Sequence, residues 1–323
     1  GFTRRGFIGQ AMIILSRLFD SELRWTIFIS QSFFCTFYFF LLWSLFKNLK
    51  TNKIIYLTIF TPIFILYPIA EIEVLARKEI IVFTFFLIYL LIPTQHKFKN
   101  FFLFLFSFFS ILVWEPIIFF FPLIFLYLII DNKIEKFDLN FIKYLLFLVP
   151  GTLLALFIAT NPLSADQWKI MASVLKNEFG EACYMSCGML KSKSTLLQQF
   201  QGNVGKYSFE IIFRYLLIIL IGFYPISLLL NNSATKSKKL VFIRNFKNLF
   251  IPFCIAISPV ILLFAMGYDW GRWVNISYVI SALIVINLLI NRKIKLNITL
   301  LKQNFLYRLK GKMFIIFFII FCF

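Results

Sequence analysis

Ten apolar runs separated by short polar breaks organise the chain: 27–46, 54–70, 79–93, 98–113, 117–130, 141–160, 208–230, 249–266, 274–290 and a tenth beginning at 313. A bilayer-spanning helix needs about 20 apolar residues. The pattern therefore predicts an all-α, polytopic integral membrane protein with nine to ten transmembrane helices. Several runs are short. The stretch 98–130, broken by Trp114, Glu115 and Pro116, is too long for one crossing and barely enough for two, which predicts a helical hairpin or a pair that does not fully span. Ahead of the first run, Phe7 to Phe19 has apolar residues at helical spacing with Gln10 and Arg17 interspersed. Too short and too polar at its ends to span, it predicts a helix lying on the outer leaflet within segment 1–25. A polar stretch, 161–207, with helix-like parts near 164–179 and 192–201, reads as a long outer-face loop. A single transmembrane domain, 1–323, accounts for all of this. Starting at Gly1 and stopping about half a crossing into its last run, the chain reads as a piece cut at both ends.

Composition narrows the class. With 61% hydrophobic and 15% charged residues, and 46 Phe among 323, the chain has more apolar bulk than a water-soluble core could hide. Its net charge of +19 does not point to nucleic acid, because the basic residues are scattered between spans instead of sharing one solvated face. They report orientation. Twenty of the 33 basic residues fall in alternate loops, and the positive-inside rule places those loops in the cytoplasm. On that map eleven of fourteen acids lie outside, leaving Asp131, Glu135 and Asp138 inside. Lysine and arginine also separate. Seventeen of 23 lysines lie inside, but seven of ten arginines (Arg4, Arg5, Arg17, Arg24, Arg77, Arg214 and Arg272) lie outside. Arginine on the wrong side for topology calls for another reason, and guanidinium binds phosphate and carboxylate in a two-pronged way that ammonium does not. Three of the five cysteines sit in apolar runs; Cys183 and Cys187 share a polar loop, where a disulfide is one option. No nucleotide-binding glycine loop, hydrolase motif or metal-ligand cluster is present, and His96 is too isolated to complete a zinc site. No metal residue or cofactor is assigned, although a divalent metal stays open.

Four outward clusters carry the candidate chemistry. Arg4 and Arg5 precede the interfacial helix, as headgroup anchors or as phosphate ligands. Glu71, Glu73, Arg77, Lys78 and Glu79 crowd a span junction, where charge at the membrane rim costs about 2.5–3.5 kcal/mol per residue. Such a group pairs internally, as Glu73 with Arg77 on one helical face, or lines a wet cavity. Glu115, the sole charge across 100–130, is a candidate proton acceptor beside a helix-breaking proline. Last is Gly267-Tyr268-Asp269-Trp270-Gly271-Arg272-Trp273. As an aromatic belt it would anchor the interface with an Asp–Arg pair. As a site, its two glycines would permit a tight turn presenting Asp269 and Arg272 to a ligand.

The combination of "RRGFIG", "ARKE", "WEP" and "YDWGRW" on this architecture resembles bacterial polytopic proteins of surface-polysaccharide biosynthesis, the GT-C type glycosyltransferases and the similar O-antigen polymerases. The resemblance covers the architecture of most of the chain on short motifs. It implies an enzyme of the inner membrane with an outward, periplasmic site, acting on a polyprenyl-phosphate-linked sugar. It also implies a catalytic acid in the first outer loop, whose beginning the sequence lacks, so that Asp20 and Glu22 are late substitutes. Arg272, Arg4, Arg5 and Arg77 are then the expected phosphate ligands, Arg77 from a second rank, with Asp269, Glu79 or Glu115 as base. A transporter for an anionic lipid or solute is the competing class. It would want charges deep in several spans, and 27–46, 98–113, 117–130 and 274–290 have none apart from Lys99 at an inner end. A non-catalytic envelope assembly subunit is the third.

Overall fold

The computed structural model describes residues 6–66, 78–161, 163–182, 196–205, 207–237, 239–267 and 269–322. The fold is all-α apart from one two-stranded ladder. In chain order the helices are α1 (Gly6–Leu18), α2 (Leu23–Phe46), α3 (Lys53–Phe60), α4 (Glu79–Leu91), α5 (Phe98–Val113), α6 (Phe121–Asp131), α7 (Leu139–Thr160), α8 (Ala165–Phe179), α9 (Leu196–Val204), α10 (Phe209–Gly222), α11 (Tyr224–Asn231), α12 (Phe250–Ile257), α13 (Ile261–Met266), α14 (Trp270–Ile290), α15 (Ile298–Gln303), α16 (Phe305–Arg308) and α17 (Gly311–Cys322). Helices occupy each of the ten apolar runs, but length separates them. Among the described residues α2, α7 and α14 alone are long and apolar enough to cross a membrane unaided. A fourth arises if α10 and α11, bent by 49° at Phe223, form one span.

Local sequence sets the boundaries. Asn52, Asp138 and Ser208 side chains accept from backbone N–H groups three residues on, which caps α3, α7 and α10. Ser164 and Gln167 cap α8 reciprocally, and Gly180, left-handed at φ 63°, ends it. Trp114, extended at φ −156°, breaks α5; Pro116 then opens a tight 3₁₀ turn, Glu115–Phe120, that leads into α6. The chain reverses there. Lys99 at the start of α5 meets Asp131 at the end of α6, Nζ to Oδ2 at 3.0 Å, so 98–131 is a hairpin.

Helix α14 is the mast of the bundle, with 89% of its most apolar window buried, against 22% for α2 and 17% for α7. Its polar side chains are spent on neighbours' backbones. Pro62 cannot donate to the Thr58 carbonyl one turn earlier, and the Tyr278 hydroxyl donates there instead, at 2.9 Å. Asn275 donates to Ile63 O at 2.7 Å, while Asn287 donates to Leu90 O and accepts from the Tyr127 hydroxyl, both at 3.0 Å. These three side chains fix the rotation of an otherwise smooth apolar helix.

The lysine-rich connections gather at one end of the bundle. Lys53 donates to the Tyr307 and Leu309 carbonyls, Ser237 donates to Glu135, and Ser233–Thr235 pairs antiparallel with Ile294–Leu296. Asp131, fully buried there, accepts from Lys99, from Lys293 at 3.3 Å and from Thr94. This closed knot of charge is the main structural feature that hydropathy alone did not suggest.

Candidate functional site

The N-terminal ends of α4 and α14 converge at the opposite end of the bundle. Glu79 lies in the first turn of α4 and is buried. Asp269 caps α14 by position, yet its side chain bonds Arg272 and not the helix backbone. The Arg272 guanidinium, 11% exposed, donates to the Glu79 carboxylate through Nη2 and to Asp269 Oδ2 through Nη1 at 3.2 Å. Two carboxylates thus share one cation where two helix N-termini also contribute partial positive charge.

Aromatic rings wall this group. Trp114 stacks on Trp273 with centroids 5.8 Å apart and planes at 24°. Arg272 sits over both, 5.9 Å from Trp114 and 5.4 Å from Trp273. Both indole N–H groups are buried without a hydrogen-bond partner among the described residues. Trp273 is therefore core and not belt. Trp270 also works inward, donating to the Phe264 carbonyl at 2.9 Å.

The glycine argument needs correction. Gly267 is extended, at φ −150° and ψ 150°, a conformation open to any residue, and Gly271 lies within the first turn of α14. A Cβ at Gly267 would stand 3.4 Å from the Trp273 ring, ordinary van der Waals contact, so neither conformation nor space requires glycine there. The terminal carbonyls of α13 are covered from the long loop. Asn203 of α9 donates to Met266 O at 2.5 Å, and the Tyr207 hydroxyl to Phe264 O at 2.7 Å. Helix α9 accordingly sits against the chain that leads into Asp269.

Arginines that the sequence reading expects on the outer face find carboxylates. Arg17 bonds Glu178 through Nε and Nη2 at 3.0 and 2.6 Å; Arg24 grips both oxygens of Glu181; Arg214 pairs with Glu210 at 2.7 Å. Arg272 included, these four arginines are all ion-paired within the chain. At Arg24 the two-pronged geometry that set arginine apart from lysine is used on carboxylate. Arg24 also holds the Glu181 carboxyl below the usual glutamate range, mainly through its hydrogen bonds.

Of the expected site residues, Glu79, Asp269 and Arg272 come together directly. Glu115 is half-buried and begins the 3₁₀ turn next to Trp114, whose ring reaches the group. Arg4, Arg5 and Arg77, with Glu71, Glu73, Tyr268, Cys183 and Cys187, lie outside the described residues. Among the described residues no three His, Cys, Asp or Glu side chains group as metal ligands. Sequence reasoning missed the Trp114–Trp273 stack; the signal was that both tryptophans adjoin a candidate acid or base. It also missed the Glu79–Arg272 link, which spans 193 positions and leaves no local trace. No protein-family model, curated protein or solved structure matches the chain.

Proposed function

We propose that the chain is a multi-pass membrane protein that binds an anionic, polyprenyl-phosphate-linked sugar at the Glu79–Asp269–Arg272 end and transfers the sugar to an acceptor hydroxyl. The carrying observation is the unequal hold on Arg272. Glu79, 7% exposed, fixes the guanidinium from within, whereas Asp269, 47% exposed, meets it from the open side. A phosphate offers more charge and more acceptor oxygens than Asp269, so it takes over the Nη1 edge. Arg272 then stabilises the lipid phosphate as leaving group. Asp269, released beside the reacting carbon, accepts the proton of the acceptor hydroxyl as the new carbon–oxygen bond forms and the bond to phosphate breaks. Glu79 is in this scheme a positioning residue. The indoles of Trp114 and Trp273 exclude water around the cation.

The gathering of lysine-rich connections at the far end supports a cytoplasmic location for that end and an outward location for the site. Three helices of spanning length support membrane residence. The test is mass spectrometry of lipid-linked glycans from cells carrying the full-length gene, wild type against Asp269→Asn. Accumulation of an unextended lipid-linked intermediate, with the protein still in the membrane, is the expected result. An unchanged profile overturns the reading and puts transport or assembly ahead.

A further inference from the structure

A half-open cavity at the lysine-rich end has no part in the reading above. It holds about 180 Å³ and is lined by Lys133, Lys236, Ser237, Asn291, Arg292 and Lys293 among others. That space suffices for a phosphate group, since one water needs only about 10–15 Å³ of it. Four of these side chains are cationic and come from three separate elements. Lys133 follows α6, Arg292 and Lys293 follow α14, and Lys236 extends the short ladder, its N–H bonding the Lys293 carbonyl at 3.2 Å.

The two helix ends are built alike. After α6, Lys133 takes φ 54°, its N–H reaches Ile130 O at 3.4 Å and that of Ile134 reaches Ile129 O at 3.0 Å. After α14, Arg292 takes φ 52°, its N–H reaches Leu289 O at 3.1 Å and that of Lys293 reaches Leu288 O at 2.9 Å. This left-handed position is one where glycine is ordinarily preferred. At both helix ends the chain instead carries a long basic side chain, and both line the same cavity. Attraction of a cation to a helix C-terminus explains either residue alone. It does not explain Lys236, which belongs to no helix yet lines the same half-open cavity.

Charge within the cavity is unbalanced. Lys293 is held by the Asp131 carboxylate and by the Asp131 main-chain oxygen at 2.6 Å, and Glu135 accepts from Ser237. Among the described residues no carboxylate pairs with Lys133, Lys236 or Arg292. We propose that this cavity binds a phosphate group, carried by an anionic phospholipid headgroup or by a soluble phosphate compound. Lys293, fixed by Asp131, forms its floor, and Lys133, Lys236 and Arg292 close around the ligand. The inference is independent of the glycosyl-transfer reading, though its lipid arm rests on membrane residence.

The test uses the full-length protein and the double variant Lys133→Gly/Arg292→Gly. Glycine suits both left-handed positions, so charge is removed without harming the fold. Lys310→Gln/Lys312→Gln removes equal charge outside the cavity. One arm titrates delipidated protein in neutral detergent with inorganic phosphate and follows the melting temperature. The other reconstitutes it into phosphatidylcholine vesicles with or without cardiolipin and counts retained cardiolipin by native mass spectrometry. In at least one arm the double glycine variant should bind about thirtyfold more weakly, at about 1 kcal/mol per basic side chain, while the Lys310/Lys312 variant stays near wild type. Loss in the phosphate arm alone identifies a soluble ligand; loss in the cardiolipin arm identifies a headgroup. Equal weakening of both variants, or no binding in either arm, overturns the proposal.

Discussion

Arg272 donates to Glu79 across 193 positions of chain, and both side chains are largely buried. The contact joins the N-terminal ends of α4 and α14. Removing one partner strands a charge in a poorly solvated place, at a cost of about 3–5 kcal/mol. Glu79→Gln and Arg272→Gln should each lower the denaturation midpoint in detergent. The double variant should lose less than the sum of the two, with a coupling of about 1–3 kcal/mol in a double-mutant cycle. Additive losses would show that the two side chains do not interact.

Asp269 stands apart from its partner. At 47% exposed, its ion pair with Arg272 is worth at most about 1 kcal/mol after solvent screening. Asp269→Asn should therefore leave the midpoint nearly unchanged, while the proposed sugar transfer requires that it alter the lipid-linked glycans. A large drop in stability would assign the residue to the scaffold.

At the other end, Asp131 is the single anion between Lys99 and Lys293. Asp131→Asn leaves two ammonium groups facing each other and should cost about 3–5 kcal/mol, read as loss of monodisperse protein on heating. Lys293→Gln keeps the Lys99 partner, so its cost should be clearly smaller. The reverse order would mean that Lys293 and not Asp131 holds the knot together.

Gly151 in α7 faces Ser107 of α5 so closely that a Cβ would stand 2.3 Å from the Ser107 carbonyl oxygen. Alanine raises helix propensity by about 1 kcal/mol over glycine. Here the clash is with backbone, which must move, and overpacking costs about 1–3 kcal/mol. Packing wins. Gly151→Ala should destabilise the protein and weaken the Ser107 Oγ to Phe147 O bond now at 2.7 Å. A gain in midpoint would contradict this close approach.

Acid should loosen the loop helix α8. Because Arg24 lowers the Glu181 pKa in the folded protein, the ionised pair adds stability above the ordinary glutamate value of 4.5 and loses it as pH falls through the lowered one. Hydrogen exchange in 165–179 should rise over that acidic window. In Glu181→Gln it should already be high at neutral pH and flat with acidification.

The helices were legible because ten apolar runs and their caps are local signals. Asn52, Asp138 and Ser164 each announce a start within three residues. Which helix is central was not legible. Hydropathy ranks α7 and α14 alike at 2.1, yet 17% of one window is buried and 89% of the other. The difference lies in Asn275, Tyr278 and Asn287, which read as ordinary polar interruptions until the carbonyls they serve are located. For the site, proximity of Asp269 and Arg272 followed from their spacing. The recruitment of Glu79 did not, because it depends on two distant helices starting at the same level. For the arginines that the sequence singled out, carboxylate is the partner at four described positions.

The burial of α14 bears on biogenesis. The helices it braces, α3, α4 and α6, leave the ribosome well before residue 270. Until α14 is inserted among them, the Thr58 and Leu90 carbonyls lack the donors that satisfy them in the finished protein. Early helices therefore lack part of their hydrogen bonding until α14 joins them. Chains truncated just before α14 should be cut by protease faster than the full chain.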